Sequence, residues 1–418
     1  MRLPGAAGRW ASGTSGLLSL GQLASTVGDY CYSVALPWLI LSNHGSTVLL
    51  GTVLACYGVP RTVLIPVGGI LADRISPRTV MLAADATRCL LVAALVALAV
   101  PKLIALAFLG PVAALLGAGE GLFLPAAGAI MPSLLPADSL QAGNGISQAM
   151  VQVGSIVGPV LGGILVTTWG SAPAFAVDAA SFAASAIALV MMRRHRLPGP
   201  SDQPAEAADT IPDDPPATGE ATTFWQLALH ARFLQIVLVV AVLANFAVAS
   251  TMAIALPALA HARFGATGYG TLIACFGVGS LIGTLVAIKL SGIRRPAPAA
   301  CASLLVTAVA LSFIPFLGGL PGAAAAAFAF GAGAIFGNIV IITLLQQWAP
   351  PSMIGRVMST VMLASIGTYP ASVALAGVIV RAVGPAPFFP VSGGVLALAV
   401  LFALSQRQFR VFGSGSGD

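Results

Sequence analysis

Long apolar runs recur from one end of this chain to the other, and they constrain its fold more than any other feature. Apolar runs of about eighteen residues or more are the signature of helices that span a membrane. The 418-residue chain is 58% hydrophobic and only 8% charged, whereas an ordinary soluble domain is about 25% charged. We therefore predict an all-α polytopic membrane protein embedded in a lipid bilayer.

Twelve spans can be placed along the sequence, six on each side of a segment of different composition. That segment, LPGPSDQPAEAADTIPDDPPATGE, contains six prolines and six carboxylates and almost nothing apolar, so we expect a disordered, exposed linker. The predicted organisation is a six-helix bundle over residues 1–196, the linker over 197–222 and a second six-helix bundle over 223–412. The final GSGSGD, residues 413–418, is typical of an added tail.

A faint internal repeat relates the two predicted bundles. The stretch PADSLQAGNGISQAMVQVGSIVGPVLGG, before and within the fifth span, is echoed by PPSMIGRVMSTVMLASIGTYPASVALAG, before and within the eleventh. Both begin with a proline-containing loop and reach a point rich in small residues and proline. Repeats that lie six spans apart and share one orientation indicate parallel halves related by a pseudo-two-fold axis along the membrane normal.

The lysines and arginines are distributed unequally between the two sides of the membrane. With the N-terminus inside, fourteen of the nineteen lie on the cytoplasmic side, and the outer loops hold only Lys102, Arg263 and Arg381. This is the positive-inside bias of a protein of the cytoplasmic (inner) membrane, and it places both termini and the linker in the cytoplasm. The net charge of +6 reflects this topology and does not indicate a nucleic-acid partner.

Motifs for several other chemistries are missing from the sequence. It contains no GxxxxGK[ST] for direct use of ATP and no HExxH or GxSxG, and its four histidines lie at span ends or in loops. The five cysteines fall inside apolar runs, where we expect small buried hydrophobic residues rather than disulfide partners or metal ligands. We therefore predict that the protein is not an enzyme and that it uses no metal or cofactor.

The cytoplasmic loop after the second span reads GGILADRISPRTVML. It resembles motif A of the major facilitator superfamily, Gly-x-x-x-Asp-Arg-x-Gly-Arg-Arg, and the matching residues are Gly69, Asp73, Arg74 and Arg78. Ser76 stands where the motif has its second glycine, and Pro77 where it has the first of two arginines. The resemblance implies close helix approach at Gly69 and a charged latch in which Asp73 holds a neighbouring helix N-terminus. An ordinary basic inside loop is the alternative.

Glycines recur at helical spacing in the fifth span, in the stretch GISQAMVQVGSIVGPVLGG. Three of them are four residues apart, so they share one helix face and form a groove for another helix, while the proline bends the helix. The stretch resembles the antiporter motif of the superfamily, motif C, and the matching residues are Gly145, Gly154, Gly158, Pro159, Gly162 and Gly163. We interpret it as a helix-packing hinge.

Further stretches extend the resemblance over nearly the whole chain outside the linker. Drug:proton antiporters related to macrolide and siderophore exporters are similar in GQLASTVGDYCYSVALPWLIL, YGVPRTVLIPVGGILADR, FAVDAASF and ITLLQQWAPPSMIGRVMS. One position departs from the pattern. Motif B of many proton antiporters has an arginine in the fourth span, where GAGEGLF has Gly117, with Glu120 in place of a neutral amide. The role of that arginine is therefore not carried over.

Six ionisable residues lie within the predicted spans, where charges are costly and mark functional sites by default. They are Asp29, Arg61, Asp85, Arg88, Glu120 and Asp178. A superfamily-like arrangement has spans one, two, four and five around the cavity and spans three and six at the periphery, which ranks Asp29, Arg61 and Glu120 first. Asp85 and Arg88, three apart on one helix, are expected to neutralise each other. Asp29 and Arg61 can form either a fixed ion pair or part of the proton-coupling machinery.

Glu120 is the residue that we predict to carry the proton. It has no arginine on its own helix face, and a carboxyl group in apolar surroundings binds its proton more tightly than one in water. The second half has no acidic residue between Ala221 and Gly417, so a carboxylate carrier must lie in the first half. The apolar second half is expected to hold a lipophilic substrate through a few hydrogen bonds, although the candidate residues can equally satisfy helix kinks; they are Asn245, Phe246 and Asn338.

The function that these features imply is a proton-coupled exporter, an antiporter that moves a small lipophilic or amphiphilic compound by alternating access. A lysophospholipid or siderophore transporter on the same scaffold is the alternative. A passive channel would show polar or charged rings along a pore, and the asymmetric charges argue against one. The partners implied are protons, a small-molecule substrate and the bilayer, and the expected state is a monomer.

Overall fold

The computed structural model of the chain describes residues 14–43, 45–99, 108–134, 137–192, 231–290, 296–349 and 354–406. The predicted linker, residues 197–222, and the predicted tail, residues 413–418, lie outside these ranges. The predicted division of the chain into two bundles and a linker therefore stays a prediction. Within the described ranges the chain is almost entirely helical, with turns between the helices.

The part of the first half that the structure describes forms six long helices. They are α1 (Thr14–Ser42), α2 (Thr47–Arg74), α3 (Pro77–Ala99), α4 (Leu109–Leu134), α5 (Ala137–Trp169) and α6 (Ser171–Met191). Local sequence sets the start of α3, where the Thr79 amide donates to the Ser76 hydroxyl at 3.1 Å. Serine before a proline at the first helical position is a favourable helix start, because the hydroxyl satisfies a free amide and proline has none to satisfy.

The described residues of the second half also form six helices, two of which are interrupted. The uninterrupted helices are α8 (Gly265–Lys289), α9 (Pro296–Phe313), α10 (Gly319–Trp348) and α12 (Pro385–Ser405). Helix α7 (Arg232–Arg263) contains a π-helical turn at Thr251–Ala255, and α11 consists of two segments, Ile354–Gly367 and Tyr369–Val383.

The length and composition of these helices suit a bilayer. Eleven of the described helices are long and apolar enough to cross a membrane, and they are α2 to α12. Helix α1 is 29 residues long and carries Asp29 and two tyrosines in its middle. The prediction of an all-α polytopic membrane protein is confirmed.

The helix bundle has two ends, which are named after nearby residues or segments. The Ser42 end is where α1 ends and α2 begins, between Ser42 and Thr47, and the linker end is where α2 ends and α3 begins, between Arg74 and Pro77. Because each helix crosses the bundle once, α5 and α11 run toward the Ser42 end and α2 and α8 run away from it.

Glycine-to-glycine crossings join the two halves at the Ser42 end. Gly51 of α2 faces Gly377 of α11, and a Cβ added to either would lie 3.3 Å from the Cα of the other. Gly270 of α8 faces Gly163 of α5 in the same way, at 3.3 and 3.4 Å. Gly163 and Gly377 are the last residues of the two repeated stretches in the sequence. The repeat therefore corresponds to two matching helix crossings, as the pseudo-two-fold relation requires.

Hydrogen bonds between the halves also gather near the Ser42 end. The Thr47 hydroxyl donates to the Gly377 carbonyl at 2.9 Å. The Thr167 and Thr267 hydroxyls lie 2.8 Å apart, and the Ser42 hydroxyl lies 3.3 Å from Nε2 of His261. A further bond between the halves, farther from the Ser42 end, joins the Gln152 amide to the Gly277 carbonyl at 3.0 Å. The part of the chain described by the structure is thus closed between its halves at the Ser42 end.

Candidate functional site

A cavity of about 490 Å³ lies between the two halves. Helices α1, α2, α3, α4 and α6 form its wall on one side, and α7, α8 and α11 form it on the other. Five of the six ionisable residues predicted within the spans line it: Asp29, Arg61, Arg88, Glu120 and Asp178. Cavities of roughly 300–1,000 Å³ that are mostly apolar with a few convergent polar groups are typical small-molecule sites.

Every tyrosine of the chain lines this cavity. The chain has five, and they come from α1, α2, α8 and α11: Tyr30, Tyr32, Tyr57, Tyr269 and Tyr369. A tyrosine offers an aromatic face to an apolar ligand and a hydroxyl group for a hydrogen bond. The sequence analysis missed this cluster. Its only signal there is that all five tyrosines fall within the predicted apolar spans.

Arg61 pairs with Glu120 and not with Asp29. The NH2 nitrogen of Arg61 lies 3.2 Å from Oε1 of Glu120, and the two side chains are 25% and 24% exposed. Asp29 is exposed and has no ion pair with a described residue, so of the two alternatives left open for Asp29 and Arg61, the fixed ion pair is not formed. Arg61 meets Glu120 because α2 and α4 pack closely at Gly121, where an added Cβ would lie 3.1 Å from the Arg61 Cα.

The same helix face explains why the arginine of motif B is replaced in this chain. Gly117 approaches α2 so closely that an added Cβ would lie 3.0 Å from the Cα of Tyr57. An arginine at position 117 would have to separate α2 from α4. The cation beside Glu120 comes from α2 instead, as Arg61. The sequence signal for this contact is a matching four-residue spacing on the two helices. It separates Gly117 from Gly121 on α4 and Tyr57 from Arg61 on α2.

Asp85 and Arg88 form the ion pair that their spacing predicts. Arg88 NH2 lies 2.6 Å from Asp85 Oδ1, and the Ser185 hydroxyl of α6 donates to Asp85 Oδ2, also at 2.6 Å. The Arg88 guanidinium lies between two rings, 4.5 Å from the centroid of Phe123 and 4.4 Å from that of Phe182. Both charged residues are buried, so the pair holds α3 against α4 and α6.

The expected division between lining and peripheral helices is wrong in two respects. Arg88 of α3 and Asp178 of α6 reach the cavity, although both helices were expected at the periphery. Helix α5 was expected to line the cavity, yet none of its described residues does so. The reason is that α5 packs behind α1, which occupies the cavity side of this contact.

The three predicted substrate contacts do not line the described cavity. Asn245 donates from Nδ2 to the Ala241 carbonyl at 2.9 Å and to the Ser365 hydroxyl of α11 at 3.2 Å. Asn245 thus links α7 to the first segment of α11. Phe246 is partly buried and Asn338 is exposed, both outside the cavity wall. Their role in substrate binding stays a prediction.

The glycine face of α5 packs against α1 within the same half. An added Cβ would lie 2.6 Å from the Tyr30 Cβ at Gly158 and 3.0 Å from the Cys31 Cα at Gly162, and Gly154 is equally close to α1. The Cys31 thiol also donates to the Gly158 carbonyl, at 3.3 Å. The predicted groove for another helix is therefore present, and α1 occupies it.

The neighbouring face of α5 contacts the other half. An added Cβ at Gly163 would lie 2.8 Å from the Ala266 carbonyl oxygen, and the Pro159 carbonyl faces Gly270 of α8. One helix thus holds α1 on one side and α8 on the other. Gly145 lies within α5 but outside the part of that helix whose packing is described. The hinge role of the motif stays a prediction.

Irregular backbone borders the cavity in the second half. Met252 lies in the π-helical turn of α7, and Tyr369 follows the break in α11. Proline marks both places, because Pro257 and Pro370 each lack an amide hydrogen and crowd the preceding turn. The turn in α7 widens, with the Leu256 amide bonded to the carbonyl five residues earlier. Such turns and breaks recur at functional sites.

Comparison with protein-family models decides the family. The model described as Major Facilitator Superfamily matches residues 18–367, which run from α1 into the first segment of α11. The chain belongs to the Major Facilitator Superfamily. It is a multi-pass membrane transporter that acts on small molecules, and it is not an enzyme.

Relatives within the superfamily are similar over nearly their whole length. The multidrug efflux pump Tap of Mycolicibacterium fortuitum is 26% identical over 402 residues, covering 94% of this chain and 95% of that protein. The enterobactin exporter EntS of Salmonella typhimurium is 27% identical over 409 residues, covering 94% and 92%. A solved structure of a peptide transporter POT in complex with sulfate is similar at a TM-score of 0.71 and 16% identity over 96% of each chain. That similarity shows the fold alone.

Motif A of the superfamily is altered in this chain, and the structure shows what the altered residues do. Ser76 and Pro77 begin α3, and Arg78 then reaches the end of α6. Its Nε and NH2 groups donate to the carbonyls of Leu189 and Val190, at 2.7 and 2.9 Å. A cation is favourable there because the last carbonyls of a helix are unpaired and carry partial negative charge.

The other residues of motif A make fewer contacts with neighbouring helices. Asp73 and Arg74 are exposed, and no described residue forms an ion pair with either. The close approach to α4 is made by Gly68, where an added Cβ would lie 2.8 Å from the Leu122 Cα, and not by Gly69 as expected. The latch role of Asp73 and Arg74 stays a prediction.

Proposed function

We propose that this transporter exports a small lipophilic or amphiphilic compound from the cytoplasm in exchange for protons. The observation that carries the proposal is the Arg61–Glu120 ion pair, at 3.2 Å, in the wall of the central cavity. Each partner is about a quarter exposed, so water in the cavity can deliver a proton to Glu120. A protonated Glu120 no longer attracts Arg61, and protonation therefore weakens one contact between α2 and α4.

The lining of the cavity supports a substrate with apolar or aromatic surface. Five tyrosines and Phe182 surround it, together with aliphatic side chains of both halves such as Leu36, Leu54 and Ile273. Aromatic side chains bind flat apolar groups through large contact areas, and their hydroxyl groups hydrogen-bond polar substituents.

Alternating access supplies the transport step. We assign the described conformation, closed at the Ser42 end, to the state that receives substrate through the linker end. In the opposite state the crossings at Gly51 and Gly377 and at Gly163 and Gly270 separate, and the linker end closes. The positive-inside charge distribution supports a linker end that faces the cytoplasm of a bacterial inner membrane, with both termini there. We expect the transporter to act as a monomer, since each chain contains both halves of the cavity wall.

A siderophore is the second candidate substrate. The similarity to enterobactin exporters over 94% of this chain favours it, as the similarity to the multidrug pump Tap favours drug-like compounds. A direct comparison of export in cells that lack their own pumps discriminates between the two. Retention of added ethidium or erythromycin should fall on expression of the chain if drugs are exported, and release of catecholate siderophore should rise if siderophores are.

Proton coupling is tested by measuring proton release from the purified protein in weakly buffered solution. Addition of a compound selected by the cell assay should release protons from the parent. Glu120→Gln resembles the protonated form, so it should still bind the compound but release fewer protons. Asp85→Asn is the matched control, since Asp85 is fully buried beside Arg88 and its removal should not reduce release per folded molecule. Equal release by parent and Glu120→Gln would remove Glu120 from the coupling step.

A further inference from the structure

The charges in the first half leave two carboxylates without an arginine. The membrane-embedded parts of the predicted spans of this half contain four carboxylates (Asp29, Asp85, Glu120 and Asp178) and two arginines (Arg61 and Arg88). Arg61 pairs with Glu120 and Arg88 pairs with Asp85. The two remaining carboxylates differ in exposure, because Asp29 is exposed to the cavity whereas Asp178 is only 2% exposed.

The carboxyl group of Asp178 has few stabilising contacts with its surroundings. Its Oδ1 atom is buried and has no hydrogen-bond partner among the described residues. The Ser181 hydroxyl donates to the backbone carbonyl of Asp178, at 2.7 Å, and not to its side chain. Gly28 of α1 lies directly against it, since a Cβ added there would be 2.8 Å from Asp178 Oδ1. No described lysine or arginine forms an ion pair with it.

Neighbouring helices present several titratable groups to Asp178. They come from α1 and α3, and they are Asp29, Cys31, Tyr32, Arg88 and Cys89. The Arg88 guanidinium is the only cation in this set, and its NH2 group is bound to Asp85. A charged Asp29 would repel a negative charge on Asp178. A buried carboxylate that lacks both a hydrogen bond and a paired cation is strongly disfavoured, whereas the neutral acid is not.

We propose that Asp178 is a second proton-binding residue of the transport cycle, which holds a proton in this conformation and releases it to water in the cavity when α1 moves away from α6. The proposal rests on the proposed proton-coupled function and adds a site to it. In the release step the O–H bond of the carboxyl group breaks, water accepts the proton and the carboxylate remains. Arg88 can then stabilise that carboxylate, because its Nε atom is buried and has no partner among the described residues.

The position of Asp178 links this proton to helix movement. Asp178 lies against Gly28 on one side of α1, and the glycine face of α5 packs on another side of the same helix, at Tyr30 and Cys31. A charge that appears at Asp178 next to Asp29 pushes α1 from one side. Helix α1 can respond by shifting against α5, whose other face contacts α8 of the second half at Gly163.

Infrared difference spectroscopy on the reconstituted full chain tests the proton directly and needs no substrate. The carbonyl stretching band of a protonated carboxylic acid should be present in the parent at neutral pH and should lose intensity in Asp178→Asn. Asp178→Glu should restore the band at a shifted frequency. Glu120→Gln is the matched control, and it should leave the band unchanged because Glu120 is ion-paired in this conformation.

The outcomes separate this proposal from the proposed function. A parent band that Asp178→Asn leaves intact would overturn the assignment of the proton to Asp178, whatever the transport result. If Asp178→Asn does not fold, the frequency shift in Asp178→Glu decides in its place, and an unshifted band would contradict the proposal. If Asp178→Asn loses the band but the parent shows no substrate-induced proton release, the protonated state of Asp178 is supported and the proposed proton-coupled function is contradicted.

Discussion

Asp85 depends on Arg88 for its charge, because both side chains are buried where three helices meet. Asp85 is 0% exposed and accepts hydrogen bonds from Arg88 and Ser185. Glu120 makes the same type of pair with Arg61, but about a quarter of each side chain is exposed. Burial therefore assigns the two pairs different tasks: Asp85–Arg88 is suited to hold helices together, and Arg61–Glu120 is suited to open and close.

The difference predicts opposite effects of neutralising the two acids. Asp85→Asn leaves the Arg88 charge buried without its partner, and breaking a buried pair in this way costs about 3–5 kcal/mol. Glu120→Gln leaves Arg61 with access to cavity water, so its effect on stability should be well below that. Thermal unfolding of the two purified variants in the same detergent checks this. Equal destabilisation by both substitutions would contradict the division of tasks.

At the scale of the helix, the glycines of α5 serve two partners. Gly158 contacts α1 of its own half, whereas Gly163 contacts α8 of the other half. Only the second contact has to break when the Ser42 end opens. A side chain added on either face overpacks the contact, which typically costs about 1–3 kcal/mol. On the α1 face this cost should lower stability, whereas on the α8 face it should shift the equilibrium between conformations.

We expect Gly158→Val to lower the thermal stability of the protein and Gly163→Val to shift its conformational equilibrium toward opening at the Ser42 end. Gly128→Val in α4 is the matched control, since an added Cβ there meets nothing within 4 Å. The readout is labelling of a cysteine introduced at Ser33, a cavity position, by an impermeant reagent from outside cells, with the native cysteines replaced by alanine. Faster labelling in Gly163→Val alone is expected, and equal labelling in all three variants would contradict it.

Arg78 makes a second prediction at this scale, because it ties the start of α3 to the end of α6. Arg78→Ala removes two hydrogen bonds to the Leu189 and Val190 carbonyls and should cost about 1–3 kcal/mol, as bonds to charged groups do. Arg74→Ala is the control four residues earlier, at the end of α2, since Arg74 is exposed and its loss should affect stability little. Unfolding midpoints that fall equally in both variants would rule out this role for Arg78.

The sequence predicts the helices well and the contacts between them less well. Apolar runs identify the membrane helices because the bilayer leaves few alternatives. The glycine spacing in α5 also predicts a packed face. Which helix occupies that face depends on the arrangement of all twelve helices, so the sequence could not assign it to α1. The same reason explains why the sequence left open whether Arg61 pairs with Asp29, whereas Arg61 pairs with Glu120 in the structure.

For the whole molecule, the contacts at the Ser42 end predict a gate that must open during transport. The Ser42 hydroxyl lies 3.3 Å from Nε2 of His261, and the His261 ring lies 4.8 Å from that of Trp38. A reducible bis-methanethiosulfonate cross-link between cysteines introduced at positions 42 and 261, in a background without native cysteines, should stop net export. Reduction should restore it. Undiminished export by the cross-linked protein would show that this end does not open in the cycle.

The central claim is that a proton gradient drives export through this chain. Everted membrane vesicles from cells that express it have an acidic interior when they respire, and vesicles without the chain are the control. A compound selected by the cell assay should accumulate inside above its outside concentration, and a protonophore should release it at once. Accumulation should fall to equilibrium in Glu120→Gln. Equilibration without accumulation in the parent, or accumulation that survives the protonophore, would contradict proton-driven export.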